Sequence, residues 1–571
     1  MAVKQSPRAG RGGRGMRVSP GPARIPGIGA GQAGAGAPAV WVRGMTADRG
    51  TAYGGFWLLA PVVALAAFME VLDLTIVNVS LLHMAGSLSA SSDEATWVLT
   101  SYTMTNAIIL PLSGWLAGAL GRKRYFMGCI AAFSLTSLLC GLAPNLQSLV
   151  IFRALQGIAG GGLQPNAQAI LSDAAPAAKR GMAFALYGMS VVFAPVIGPT
   201  LGGWITDHMS WRWVFLINVP VGLILLPLVR ALVRDPAHFA ASRRARAGAP
   251  LSLDYVGFSL ITLGLGAMQI VLDRGQRYGW FGSHVIVLLT MLCGASLVAF
   301  VMWEQRRVDP IVDLPLFRRT GFAVANIFML LLGFALLATS VVLPLYVQTI
   351  LGYTALDAGL ILSPGGLAVM LMMPVVGRLV THVDGRWLIA IGLVLSGLST
   401  LYMANFDTAT GYATIMWTRV FQNAGMAFLF IPINTAAFTD IPATKSTNAT
   451  AIINMSRNIG ASIGISLVTA IFVRRAQYHQ DLLAGHVTPY NPALQAYLAV
   501  IHGALHQPVN GLVVLGGQAA GLLYRTVVHQ ADMLAYIDVF RAMGILFLAI
   551  TPLVLLLPST ARGAHGADPP G

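Results

Sequence analysis

WLLAPVVALAAFMEVLDLTIVNVSLL (residues 57–82) contains only two charges, Glu70 and Asp73, in an otherwise apolar run. Crossing a hydrocarbon layer takes about 20 apolar residues at 1.5 Å each, so this stretch is long enough to do it as one helix. Its two acids stand three residues apart and share one helix face. An ionisable group at that depth costs roughly 2.5–3.5 kcal/mol on insertion scales, so both acids need a partner or a task.

The rest of the chain repeats the pattern. Of 571 residues, 56% are hydrophobic and 10% charged, against about 25% charged in a soluble domain. Mean hydropathy is +0.71. So little charge could not cover so much apolar surface in water, so the solvent is lipid. A net charge of +15 invites a nucleic-acid reading. The placement of the charge excludes it, because Lys and Arg fall in short clusters between apolar runs, as in the positive-inside pattern.

Cys129, Cys140 and Cys293 lie inside apolar runs without CxxC spacing and read as core residues. None of Lys4, Lys123, Lys179 and Lys445 follows the glycine of a phosphate-binding loop, which excludes ATP-driven transport on this chain. His502 and His506 have i,i+4 spacing but no nearby acid, and no nucleophile–base pattern occurs. No metal, cofactor or enzymatic activity is expected. The Gly-, Pro- and Arg-rich residues 1–56 read as a disordered basic tail without a signal-peptide core. Met45 is an alternative start.

Applying the same length criterion along the chain predicts fourteen transmembrane helices: 57–82, 95–117, 124–143, 148–172, 182–206, 213–232, 254–274, 284–304, 322–349, 357–380, 387–406, 412–439, 448–473 and 539–558. The connecting loops are short except for a basic one at 233–253 and a long segment at 474–538. Most Lys and Arg fall in the odd-numbered set of termini and loops when both ends are cytoplasmic, which sets the orientation.

A weak internal repeat organises these spans. GWLAGALGRK (from Gly114) is echoed by GRLVTHVDGR (from Gly377), and RALQG (from Arg153) by RVFQN (from Arg419). The similar offsets place the second and fourth spans on the tenth and twelfth. Two parallel six-helix halves, 57–232 and 322–558, then flank a linker with two inserted spans (233–321), and 559–571 form a tail. This all-α polytopic arrangement resembles the major facilitator fold.

Within this frame a few residues stand out. Asp73 lies roughly 13 Å and Arg153 roughly 8 Å below the outer surface, depths similar enough for contact. A carboxylate that binds either a proton or an arginine is what proton coupling requires; a static ion pair ordering the bundle is the alternative. Glu70 reads as a second proton site, a substrate contact or a neutral hydrogen-bonded acid. In the fifth span, APVIGPTLGGW (residues 194–204) places Pro195, Gly198, Pro199, Gly202 and Gly203 where they permit a kink and close helix approach. The turn after the second span joins Gly114 and Gly121 to Arg122, Lys123 and Arg124, and reads as positive-inside charge or a latch between the halves. Gln156, Arg419, Gln422 and Arg457 complete the intramembrane polar set.

VLDLTIVNV, the G-x-L-x-x-x-x-G-R-K turn, R-x-x-Q-G and A-P-x-x-G-P-x-x-G-G-W together resemble the fourteen-span drug:proton antiporter family of the major facilitator superfamily. WRWVFLINVPVG, LDRG, DPIVDLPLF and GYTALDAGL point to its EmrB/QacA type. The resemblance covers residues 55–560. It implies export of hydrophobic small molecules against protons across the bacterial inner membrane, with docking to a periplasmic adaptor and a TolC-type outer-membrane channel. It also implies that Asp73 is the protonated acid and Arg153 its partner. The chain departs from the family at Gly118, where an acid is usual, at Ala119, and at Glu70, which replaces a neutral polar residue. A dedicated single-metabolite transporter and a non-transporting sensor or scaffold stay open as alternatives.

Overall fold

The computed structural model describes residues 52–175, 180–234, 254–307, 310–438, 441–442, 445–488, 490–492, 494–496, 500 and 512–557. The expected tail, most of the 233–253 loop, His502 and His506 lie outside these residues. Every regular element among the described residues is helical. In hydrocarbon each backbone N–H and C=O must be satisfied within the protein, and a helix does this within its own segment.

The first half comprises α1 (Ala52–Ser87), α2 (Trp97–Leu120), α3 (Arg122–Gly141), α4 (Leu146–Gly160), α5 (Leu163–Ala174), α6 (Arg180–His208) and α7 (Asn218–Leu232). The antiparallel pair α8 (Tyr255–Arg274) and α9 (His284–Glu304) follows. The second half comprises α10 (Thr320–Thr349), α11 (Ala355–Leu379), α12 (Gly385–Met403), α13 (Tyr412–Phe438), α14 (Ser446–Ala484) and α15 (Leu512–Ile550).

Eleven of the described helices are long and apolar enough to cross a membrane, and α6 makes a twelfth as a bent span. Length and composition thus support eleven to twelve spans against the fourteen expected. The other two expected spans are α13, which carries Arg419, Gln422, Asn423 and Asn434, and the α4–α5 pair. The fourth span was expected to be continuous, but it breaks at Gly161 and Gly162. Three successive glycines weaken the helix there, and Pro165 cannot donate back across the break.

Packing repeats between the halves. α1 lies on α6 as α10 lies on α14; α2 on α4 as α11 on α13; α3 on α7 as α12 on α15. The halves meet along α6–α11 and α2–α14, and α8 rests on α2 beside the second seam. Gly121 joins α2 to α3 at φ 89°, a left-handed conformation that a side chain resists.

The segment 474–538 also departs from the reading as a loop. α14 continues to Ala484 and α15 begins at Leu512, each running for 39 residues. RRAQYHQDLLA (residues 474–484) has no glycine or proline to stop the helix, and its residues favour it. At its far end α15 gives way at Pro552 to a 3₁₀ turn, Thr551–Leu556.

Candidate functional site

Asp73 and Arg153 face each other in the first half, both at 0% exposure. Arg153 Nη1 donates to Asp73 Oδ2 at 2.5 Å. The other carboxylate oxygen, Oδ1, accepts from Asn218 Nδ2 at 2.7 Å and Gln156 Nε2 at 3.1 Å. Gln156 turns its Oε1 to Arg153 Nη1 at 2.8 Å, and Arg153 Nε donates to the Val98 carbonyl at 3.1 Å. Ser137 Oγ accepts from both Gln156 and Asn218 and donates to the Phe215 carbonyl. The guanidinium also lies 4.3 Å from the centre of the Tyr102 ring.

Local sequence explains this cage. Arg153 and Gln156 are one helical turn apart on α4, so both reach the same point on α1. Removing two charges from water costs several kcal/mol per ion, which is repaid only with good geometry and further hydrogen bonds. The cage supplies both. A proton on Asp73 would remove the negative half of the pair and leave Arg153 facing a neutral acid.

The second half holds the same framework without the acid. Arg419 Nη1 donates to Gln422 Oε1 at 2.6 Å, and Gln422 Nε2 donates to Thr400 Oγ1 at 2.7 Å. Where Asp73 would stand, Arg419 Nη2 meets Ser340 Oγ at 3.2 Å.

Glu70 does not join the Asp73 cage. Asn106 Nδ2 donates to its Oε1 at 2.9 Å, and its buried Oε2 has no hydrogen-bond partner. A third group lies at the seam between the halves. Arg457 Nη2 donates to Gln164 Oε1, Gln168 Nε2 donates to Asn434 Oδ1, and Asn454 Nδ2 donates to Gln168 Oε1 at 2.8 Å.

At the end of the bundle that carries the α2–α3 turn, Arg122 pairs with Asp173 at 2.5 Å and reaches Ser446 Oγ at 3.3 Å on the opposite half. Lys123 Nζ donates to the Arg230 carbonyl at 2.6 Å, within its own half. Gly114 packs against Asn448, where any side chain would collide with the amide. Lys445, next to Ser446, pairs with Asp313 at 2.5 Å. In α6, Gly181–Pro195 and Ile197–His208 are bent by 45° relative to each other, and Pro199 lies within the second of these parts. An added Cβ at Gly202 would lie 2.8 Å from the Ile76 carbonyl, and one at Gly198 would collide with Thr75. Gly203 is open enough for an ordinary contact with Val79 at 3.8 Å.

Sequence reasoning did not single out Ser137, Asn218, Gln164, Gln168, Asn434, Asn454, Thr400, Ser340 or Asp173. The repeat itself held a signal for two of them: Gln168 and Asn434 share the offset of Arg153 and Arg419, whereas Ser340 is matched to Asp73 only by its contact with Arg419.

Two six-helix halves with a buried acid–arginine pair in one of them define a polytopic transporter. The Major Facilitator Superfamily profile matches residues 63–465, and the chain belongs to that family. The fatty acid resistance protein FarB of Neisseria gonorrhoeae is 36% identical over 494 residues, covering 86% of this chain and 94% of its own. The multidrug export protein EmrB of Escherichia coli is 33% identical over 507 residues, covering 88% and 96%. Among solved structures, the proton:xylose symporter XylE superposes with a TM-score of 0.55 at 15% identity, over 89% of this chain and 97% of that one, a likeness of fold. The chain is a multi-pass membrane transporter of the EmrB-like multidrug efflux kind, not an enzyme.

Proposed function

We propose that the protein is a proton-coupled antiporter that exports hydrophobic small molecules across the bacterial inner membrane, with both termini in the cytoplasm. The observation that carries this is the Asp73–Arg153 cage, a buried ion pair with a titratable member whose two carboxylate oxygens both accept hydrogen bonds. Buried pairs are weak contributors to stability, and their best-attested use is as a registry or switch device. In this reading Asp73 takes a proton from the outside and releases it inside, and Arg153 rewards the deprotonated state. Glu70, with one oxygen unpartnered, is a second proton or substrate contact.

We place the protein as the inner-membrane part of a tripartite pump, with an adaptor protein and a TolC-type channel. Supporting this, α14 and α15 at 39 residues each are much longer than a bilayer needs, so their ends project on the outer side. Tyr478, Leu482 and Tyr524 on these arms are exposed, as an interface would require.

The test is drug efflux from vesicles after a pH jump. Asp73→Asn should be inserted normally and export nothing against a gradient, while Asp73→Glu keeps partial activity. Full efflux by Asp73→Asn would overturn proton coupling at this site.

A further inference from the structure

We infer that the second half holds a small monovalent anion at Arg419. Its geometry follows from the repeat. Arg153 and Gln156 of α4 correspond to Arg419 and Gln422 of α13, Ser137 of α3 to Thr400 of α12, and Asp73 of α1 to Ser340 of α10. Three of the four positions keep their hydrogen-bonding role, and the fourth has lost its carboxylate.

Arg419 is 3% exposed, and among the described residues no carboxylate lies within ion-pair distance of it. Each guanidinium leaves one buried nitrogen without an acceptor, Nε in Arg419 and Nη2 in Arg153, so what separates the two arginines is the missing carboxylate. The amide oxygen of Gln422 and the hydroxyl of Ser340 supply dipoles but no charge. Guanidinium does not lose its proton in proteins, so Arg419 cannot neutralise itself as a lysine would. A buried, uncompensated charge is costly enough that buried charges are paired as a rule. Arg419 is seven residues from the start of α13, roughly 10 Å along the helix. A serine in place of an aspartate leaves this position short of one carboxylate, so the anion proposed is a halide or a single carboxylate group and not a bulky oxyanion.

The anion's source is either free salt or the acidic head of an amphipath. The full-length protein in detergent would be melted in chloride, formate or gluconate at equal ionic strength, and in gluconate with micromolar decanoate. Chloride and formate should raise the midpoint by roughly 2–4 °C over gluconate, as ligand linkage requires. Arg419→Gln should remove the difference. Ser340→Asp, which restores the acid of the other half, should melt as high in gluconate as the parent does in chloride. A decanoate effect that Arg419→Gln abolishes identifies an amphipath head as the occupant; action by chloride and formate alone identifies a free ion. Equal midpoints for the parent in all salts, or a chloride effect that persists in Arg419→Gln, would overturn the site.

Discussion

Gln168 of α5 and Asn434 of α13 occupy equivalent positions in the two halves, 266 residues apart, and are hydrogen-bonded to each other. A residue that touches its own repeat mate lies on the axis relating the halves. Nearby, Asn454 holds Gln168 and Arg457 holds Gln164, so both helices of the second half that reach this axis are bonded to α5. These bonds must break if the halves part at that level, as alternating access by rocking requires. A Gln168→Cys/Asn434→Cys protein joined by a short thiol crosslinker should stop transporting and recover on reduction. Unchanged transport with bridging near completion would show that this contact persists through the cycle.

The two members of the buried pair differ in what they leave behind. Removing Arg153 leaves Asp73, which can neutralise itself by binding a proton. Removing Asp73 leaves a guanidinium that cannot shed one. Breaking a buried pair costs about 3–5 kcal/mol when the remaining charge is uncompensated. Asp73→Asn should therefore lower the melting midpoint more than Arg153→Gln. The double variant should recover most of the Asp73→Asn loss. Thermal unfolding in detergent checks both, and a larger loss for Arg153→Gln would contradict the account.

The glycine-rich stretch of α6 should not respond uniformly. Gly202→Ala puts a methyl against the Ile76 backbone, where truncating a side chain gives no relief, and overpacking of this kind costs about 1–3 kcal/mol. Gly203→Ala meets only Val79 at ordinary contact distance. Transport and protein yield should fall for the first and hold for the second. Ile76→Ala should fail to rescue Gly202→Ala.

Asp254 caps α8 one residue before its apolar span, Tyr255–Arg274, and offers a pH test there. Burial raises its pKa, but the Gly257 N–H, the Trp303 indole and Arg307 outweigh that, and the carboxyl sits below its ordinary value. A depressed carboxyl contributes stability that is present above its unfolded value of about 3.9 and lost as pH falls through the folded one. Asp254→Asn keeps an acceptor for the helix start but not the charge. The parent and this variant should differ most in melting midpoint above about pH 4 and converge below it. A gap that widens on acidification would reverse the sign.

Deep in the bundle, Glu70 and Asp73 stand against Arg153, Arg419 and Arg457, all buried. Even with an anion at Arg419, protonation of either acid leaves the set at +1, a balance that repels a dication, and in a low dielectric one unit of charge matters. Vesicles with voltage clamped by potassium and valinomycin should export a neutral or weakly acidic uncoupler-like compound faster than a bis-quaternary dye. Faster, voltage-driven export of the dye would show that other charges line the route.

Much of this was legible in the chain. Uninterrupted apolar runs reveal spans such as α9 and α10 because lipid permits few alternatives to a helix. Asp73 and Arg153 stood out because charge is rare at depth. Ser137 and Asn218 did not, because a neutral polar residue costs little and occurs throughout such helices; only the three-dimensional convergence of α1, α3, α4 and α7 gives them meaning. The full length of α14 was missed for a different reason. A search for apolar windows stops where polarity begins, although Arg474–Ala484 continues the helix through favourable polar residues.

The length of α14 has a mechanical consequence. At 39 residues it is about 58 Å long, close to twice the hydrocarbon thickness of about 30 Å. The same rigid rod carries Asn454 and Arg457 at the seam and, farther along, Arg475 and His479, which clasp Asp538 of α15 at 2.6 and 2.7 Å. A small tilt at the seam becomes a larger sweep at the far tip, because the arm beyond the pivot is long and braced by its neighbour. The α14–α15 pair thus has the form of a lever: a tilt at the seam would move whatever is fastened to its far end.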